Sequence, residues 1–121
     1  MQIKNVAMIG AGAIGGVYSY SLHKLLGDNF AFIANSKRKE RLEKEGLYLN
    51  GEHFNPKVVS SDGDTTFDLI IVSVKNYQLQ SAIEDMRNLV GENTIILTLL
   101  NGISAREVLK EEFKDNHVLY G

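Results

Sequence analysis

The apolar positions of this chain fall into short runs separated by stretches of helical spacing. Ile3 to Ile9 is a brief apolar run that ends on Gly10, which predicts a buried strand leading into a tight turn. Ile14, Val17, Tyr18, Ser21, Leu22 and Leu25 then recur at the period of a helix, which Gly27-Asp28-Asn29 interrupts. Phe30 to Ala34 predicts a second buried strand. A short charged helix over Lys37 to Glu45 follows, with Ser36 as its cap and Gly46 as its stop. Leu47-Tyr48-Leu49 and Glu52-His53-Phe54 flank Asn50-Gly51, the dipeptide of a type I′ hairpin turn, and Val58-Val59 extends into one further strand.

The second half repeats the alternation. Asp68 to Val74 is apolar on successive positions, as expected of a strand covered on both faces of a parallel sheet. Leu79, Ala82, Ile83, Met86 and Val90 mark a helix closed by Gly91, and Thr94 to Leu99 a further buried strand. Ser104-Ala105-Arg106-Glu107 reads as a capping box opening a helix through Phe113, and His117 to Tyr120 as a last strand. Strand and helix alternate everywhere except at the hairpin. The expected class is therefore α/β: a doubly wound, mostly parallel sheet of Rossmann type with helices on both faces, forming one domain over residues 1–121.

Composition narrows the partners. A length of 121 residues suits one domain, and 44% hydrophobic residues suffice for a core. A net charge of -2 argues against nucleic acid. The chain has no cysteine, so it has neither a disulfide framework nor a thiolate metal site, and no metal centre is expected. No apolar stretch reaches the length of a signal peptide or membrane span, which points to a cytoplasmic protein.

The first strand–helix junction carries the clearest chemistry. Gly10-Ala11-Gly12-Ala13-Ile14-Gly15 fits G-x-G-x-x-G directly between a strand and a helix. Gly10 permits the tight turn, Gly12 lets a pyrophosphate lie against the backbone, and Gly15 lets helix and sheet approach. The helix N-terminus adds unpaired N–H groups and a positive dipole end. A glycine-rich turn with no ligand is the bland alternative, and the βαβ context weighs against it.

The end of the second strand discriminates between nicotinamide dinucleotides. A site for NAD usually has a carboxylate there, on the ribose hydroxyls. The residues at that position are Asn35, Ser36, Lys37 and Arg38, with two cations and no acid, which suits the 2′-phosphate of NADP. The alternative is that Lys37 and Arg38 only open a solvated helix. Two more strands end in polar residues on the same side of the sheet. Lys75 follows the strand that ends at Val74, and Asn101 supplies a donor and an acceptor beside Gly102.

With these residues in view, the chain resembles the N-terminal domain of the ketopantoate reductases (2-dehydropantoate 2-reductases). The resemblance rests on Gly10-Ala11-Gly12-Ala13-Ile14-Gly15-Gly16, on Val74-Lys75 with Gln78, and on Asn101-Gly102-Ile103, with Val118-Leu119-Tyr120-Gly121 closing the match. It implies NADPH-dependent reduction of ketopantoate to pantoate, a step toward pantothenate. Val74, Lys75, Gln78 and Asn101 would lie at the cofactor, and Asn101 would hold the substrate or position a catalytic lysine. That lysine would come from a helical substrate domain, which is not among these residues. The family often has an arginine where this chain has Asn35. His23, His53 and His117 suit structural or exposed positions better than proton transfer. A keto-acid substrate and a homodimer are the expected partners. Two alternatives stand: a nucleotide-sensing regulatory module, or another two-domain dehydrogenase of 2-keto or 3-hydroxy acids.

Overall fold

The computed structural model describes residues 3–10, 13–49, 52–99 and 103–120. β1 (Val6–Ile9) leads through α1 (Ala13–Leu26) to β2 (Phe30–Ile33), and α2 (Ser36–Glu45) leads to β3 (Leu47–Leu49), β4 (Glu52–Phe54) and β5 (Lys57–Val59). β6 (Phe67–Val72), α3 (Leu79–Met86), β7 (Val90–Thr98), α4 (Ile103–Glu112) and β8 (His117–Tyr120) complete the chain. Six strands form one sheet in the order β5-β2-β1-β6-β7-β8, while β3 and β4 pair as a separate antiparallel hairpin. Every pairing in the large sheet is parallel. Counted within the sheet, the order is 3-2-1-4-5-6, the Rossmann arrangement, and the direction of winding reverses between β1 and β6.

Alternate residues of each strand serve opposite faces. Ala7, Ile9, Ala31, Ile33, Ile70, Val72, Ile96 and Val118 pack with Leu79, Ile83 and Met86 of α3 and Leu109 and Phe113 of α4. Val6, Met8, Phe30, Phe32 and Ile71 pack on the other face with Leu22 and Leu26 of α1 and Leu42 of α2. That double burial is why the central strands read as unbroken apolar runs rather than alternating ones. The hairpin leans on α1, where Phe54 meets the rings of Tyr20 and His23 at centroid distances of 5.3 and 5.0 Å.

Four expectations from the sequence need correction. β1 begins at Val6, not Ile3, because the N–H groups of Lys4 and Asn5 turn to the Asp68 carboxylate at 2.8 and 3.2 Å. Gly91 does not close the third helix. α3 stops at Met86, a 3-10 turn covers Arg87–Leu89, and Gly91 lies inside β7. There Phe67 pairs with Val90 but Leu69 with Ile95, so the intervening residues bulge out of the ladder. The Thr94 hydroxyl accepts from Gly91 N–H at 2.7 Å, and the Asn116 amide donates to the carbonyls of Gly91 and Thr94 at 2.9 and 2.8 Å. α4 begins at Ile103, so Ser104 sits in its first turn rather than before it. Ser36 belongs to α2 with φ +53°, and the cap position is Asn35, whose side chain is engaged elsewhere. The Asn50-Gly51 turn lies outside the described residues.

Candidate functional site

All six strands run the same way, so their carboxyl ends gather on one edge, and the reversal between β1 and β6 opens a crevice there. Gly10 leaves β1 with φ +84°, a conformation that L side chains rarely adopt. Space forbids a side chain as well. A Cβ on Gly10 would overlap the Ser73 carbonyl and come within 2.6 Å of the Val74 side chain. The Ser73 N–H donates to Ile9 O at 2.8 Å, so β1 and β6 stay zipped to the last residue before the turn. The glycine therefore answers a backbone demand at the crevice itself. Ala11 and Gly12 lie outside the described residues; Ala13, Ile14 and Gly15 form the first turn of α1, where the motif needs a helix to start.

The second strand end is built from three segments. Asn35 is half-buried, and Ser36, Lys37 and Arg38 are exposed. Neither Lys37 nor Arg38 forms an ion pair with another described residue. The Asn35 carbonyl accepts the first helical bond of α2 from Lys39 N–H at 3.2 Å. Its side-chain oxygen accepts from Ser61 N–H at 2.8 Å, across to the loop that follows β5. That loop is a turn in which Gly63 N–H donates to Ser60 O at 3.1 Å. Asp62 within it is held by the Ser60 hydroxyl, which, with its own backbone contact and the charge of Lys39, lowers its pKa. Ser61, Asp62 and Lys39 carried no motif; the β2–β5 pairing brings Ser61 and Asp62 beside Asn35, and Lys39 lies one helical turn on in α2.

At the third strand end Val74 is buried and Lys75 exposed. Gln78 acts on the loop: its side-chain oxygen accepts from Lys75 N–H at 3.0 Å while its own N–H donates to Lys75 O at 2.8 Å. This reciprocal pair fixes the backbone under Lys75 at the start of a 3-10 turn, Asn76–Gln78. Leu99 N–H donates to Val72 O at 2.9 Å, which brings the end of β7 to the same edge. Asn101 and Gly102 lie just beyond, outside the described residues. The three histidines are elsewhere: His23 and His53 in the α1–hairpin region, and His117 at the opposite end of its strand. No group of three or more potential metal ligands occurs among the described residues, and no described helix is long and apolar enough to cross a membrane.

A glycine in a left-handed turn at the reversal point, a helix behind it and polar strand ends on either side define a dinucleotide-binding domain of the Rossmann type. The profile of the ketopantoate reductase family (PanE/ApbA) matches residues 6–121, and the chain belongs to that family of oxidoreductases. It is 32% identical over 118 residues to an uncharacterized oxidoreductase, YkpB, of Bacillus subtilis, covering 94% of this chain and 39% of that one. It is 30% identical over 121 residues to a 2-dehydropantoate 2-reductase of Aquifex aeolicus, covering 98% and 38% respectively. Among solved structures, a D-mandelate dehydrogenase bound to NADH and anilino(oxo)acetate superposes with a TM-score of 0.81 at 26% identity, over 97% of this chain and 40% of the other. The chain thus spans about two fifths of the length of these relatives. The family uses a nicotinamide cofactor.

Proposed function

We propose that this chain is the NADP(H)-binding part of a cytoplasmic 2-dehydropantoate 2-reductase, which converts ketopantoate to pantoate. The observation that carries the reading is Gly10, held at φ +84° against Ser73 at the point where the sheet reverses. The turn from Gly10 through Gly15 holds the pyrophosphate, and Asn35, Ser36, Lys37 and Arg38 meet the 2′-phosphate. Bound NADPH supplies a hydride to the ketone carbon. The chain's own part is to hold that donor and to present Val74, Lys75, Gln78 and Asn101 beside it. Gln78 orients the Lys75 backbone, and the exposed Lys75 ammonium attracts the carboxylate of the keto acid. Asn101 positions the substrate or the lysine that protonates the carbonyl oxygen. That lysine belongs to a separate helical domain, so residues 1–121 alone bind the nucleotide without appreciable turnover.

Titration of the chain with NADPH and NADH tests the cofactor reading. NADPH is expected to bind more tightly, and equal affinities or tighter NADH would sink it. A reductase acting on another 2-keto acid is the second reading, favoured by the likeness to the mandelate dehydrogenase, whose complex contains NADH. Substrate profiling of the protein joined to its helical domain separates the two. A purely regulatory nucleotide sensor is not favoured, because the named relatives are reductases and dehydrogenases.

A further inference from the structure

Two neighbouring rows of side chains cross the same four strands and end differently. Ala7, Ile70, Ile96 and Val118 are partners in register on one face. All four are at most 3% exposed, in the cluster that α3 and α4 complete. Met8, Ile71, Leu97 and Leu119 form the next row, on the opposite face. There Met8 and Ile71 are buried, Leu97 is half-buried and Leu119 is 51% exposed. Cover fades with distance from β1, because α1 and α2 pack on the β1–β2 half of that face. Leu99, two residues beyond Leu97, is half-buried as well, whereas His117 at the start of β8 is polar and exposed. The uncovered apolar strip therefore lies toward the carboxyl edge. Parallel strands are normally buried on both faces, since the crossovers that make them parallel lay helices on the sheet. Among the described residues every α-helix is already engaged, α1 and α2 at β1 and β2, α3 and α4 on the other side.

We infer that the face of β7 and β8 carrying Leu97, Leu99 and Leu119 is the docking surface for the apolar side of a helix from the part of the full-length reductase outside residues 1–121. The inference rests on the two-part reading above and adds where the second part sits on this one. The Bacillus and Aquifex relatives have the chain to supply it, because residues 1–121 cover only 39% and 38% of them. A helix suits the strip, since one apolar stripe crosses neighbouring parallel strands. A second copy of this chain suits it less. Three leucines, two of them already half-buried, fall well short of the roughly 800 Å2 per partner that a stable dimer buries. A covalently linked segment needs less area, because the linkage supplies a high effective concentration. Leu99 lies two residues before Asn101, so a helix seated there borders the crevice and brings the second part to the edge where the keto acid meets the cofactor.

Thiol protection tests it, because residues 1–121 contain no cysteine of their own. Leu119→Cys is placed in the full-length reductase and in the 121-residue chain. Its reaction with iodoacetamide is followed by mass spectrometry of the peptide that contains it, in native buffer and in urea. In the 121-residue chain the native rate is expected to stay within a few fold of the urea rate. In the full-length protein it is expected to be roughly 30-fold slower or more. A full-length protein labelled as fast in native buffer as in urea overturns the inference and leaves the cofactor reading standing. Protection that grows with protein concentration assigns the face to a second copy and overturns it too. If the 121-residue chain does not fold by circular dichroism, the two full-length rates decide alone. Protection independent of concentration, in a full-length protein that neither binds NADPH nor reduces a keto acid, sinks the functional reading and keeps this docking face.

Discussion

The two edges of the sheet use similar residues to opposite ends. At the amino edge the polar groups satisfy one another. Asp68 takes the N–H groups of Lys4 and Asn5, Asp68 N–H returns to the Asn5 side chain at 3.0 Å, and Asn5 Nδ2 reaches Thr66 O at 3.1 Å. A few residues away Thr94 bridges Gly91 N–H and Phe67 O, and Asn116 ties two carbonyls of the bulge. At the carboxyl edge Asn35 uses only its oxygen, while Lys37, Arg38 and Lys75 stand exposed. Closed networks at one end hold the strands in register. At the other end the donors of Lys37, Arg38 and Lys75 are exposed. On the function proposed above, the fold keeps its stability and its binding capacity on separate edges.

Substitutions away from the glycine turn should separate the two properties, whereas at the turn the two coincide. Gly10→Ala has the largest expected effect, because it combines backbone strain with overlap against Ser73 and Val74. It should cost about 2–5 kcal/mol in urea denaturation and abolish nucleotide binding; a stable, binding variant would break the account of the crevice. Asn116→Ala comes next. It strips two carbonyls of a buried partner and should cost about 2–3 kcal/mol while leaving nucleotide affinity alone. Thr94→Val, nearly equal in shape, should cost about 1–3 kcal/mol, and a neutral result would show that the bulge does not depend on the hydroxyl.

Asp68 sharpens the comparison through pH. The backbone N–H of Lys4, then that of Asn5, hold its carboxyl below the ordinary carboxylate pKa. A group with a lowered folded-state pKa stabilises the fold at pH above its unfolded value and loses that contribution as pH falls through the folded value. Asp68→Asn should therefore be less stable than the wild type at pH 7, with the gap closing as the carboxylate titrates in acid. Urea midpoints across that range read it out, and a constant gap would contradict the charge-assisted clip. The smallest effect belongs to Lys75→Ala. As an exposed residue it should change stability by no more than about 0.5 kcal/mol, yet full-length reductase activity should fall substantially. Equal activity would remove Lys75 from the site.

Much of this was legible in advance because it follows from local periodicity. The apolar runs at β2 and β6 and the helical spacing in α3 report burial directly, and Gly46 stops α2 where expected, at φ +71°, whereas Leu25 of α1 and Leu119 of β8 are exposed. Two of the errors share a cause. Lys4 and Asn5 look like the start of a strand, and Gly91 like a helix stop, until Asp68 and Asn116 bind their neighbourhoods from 63 or more and 25 residues away. A side chain that satisfies a distant backbone group leaves no periodic trace.

The functional edge divides the same way. The sequence by itself determined the glycine turn, since only a residue without Cβ meets a left-handed, crowded junction between strand and helix, and it determined that Asn35 stands where an acid might. Only the tertiary structure decided which way the Asn35 amide faces. That orientation comes from one N–H at Ser61, delivered by the parallel pairing of β2 with β5. Hydrogen-bond direction depends on where a partner sits in space, and a chain position carries no record of that until the sheet is assembled.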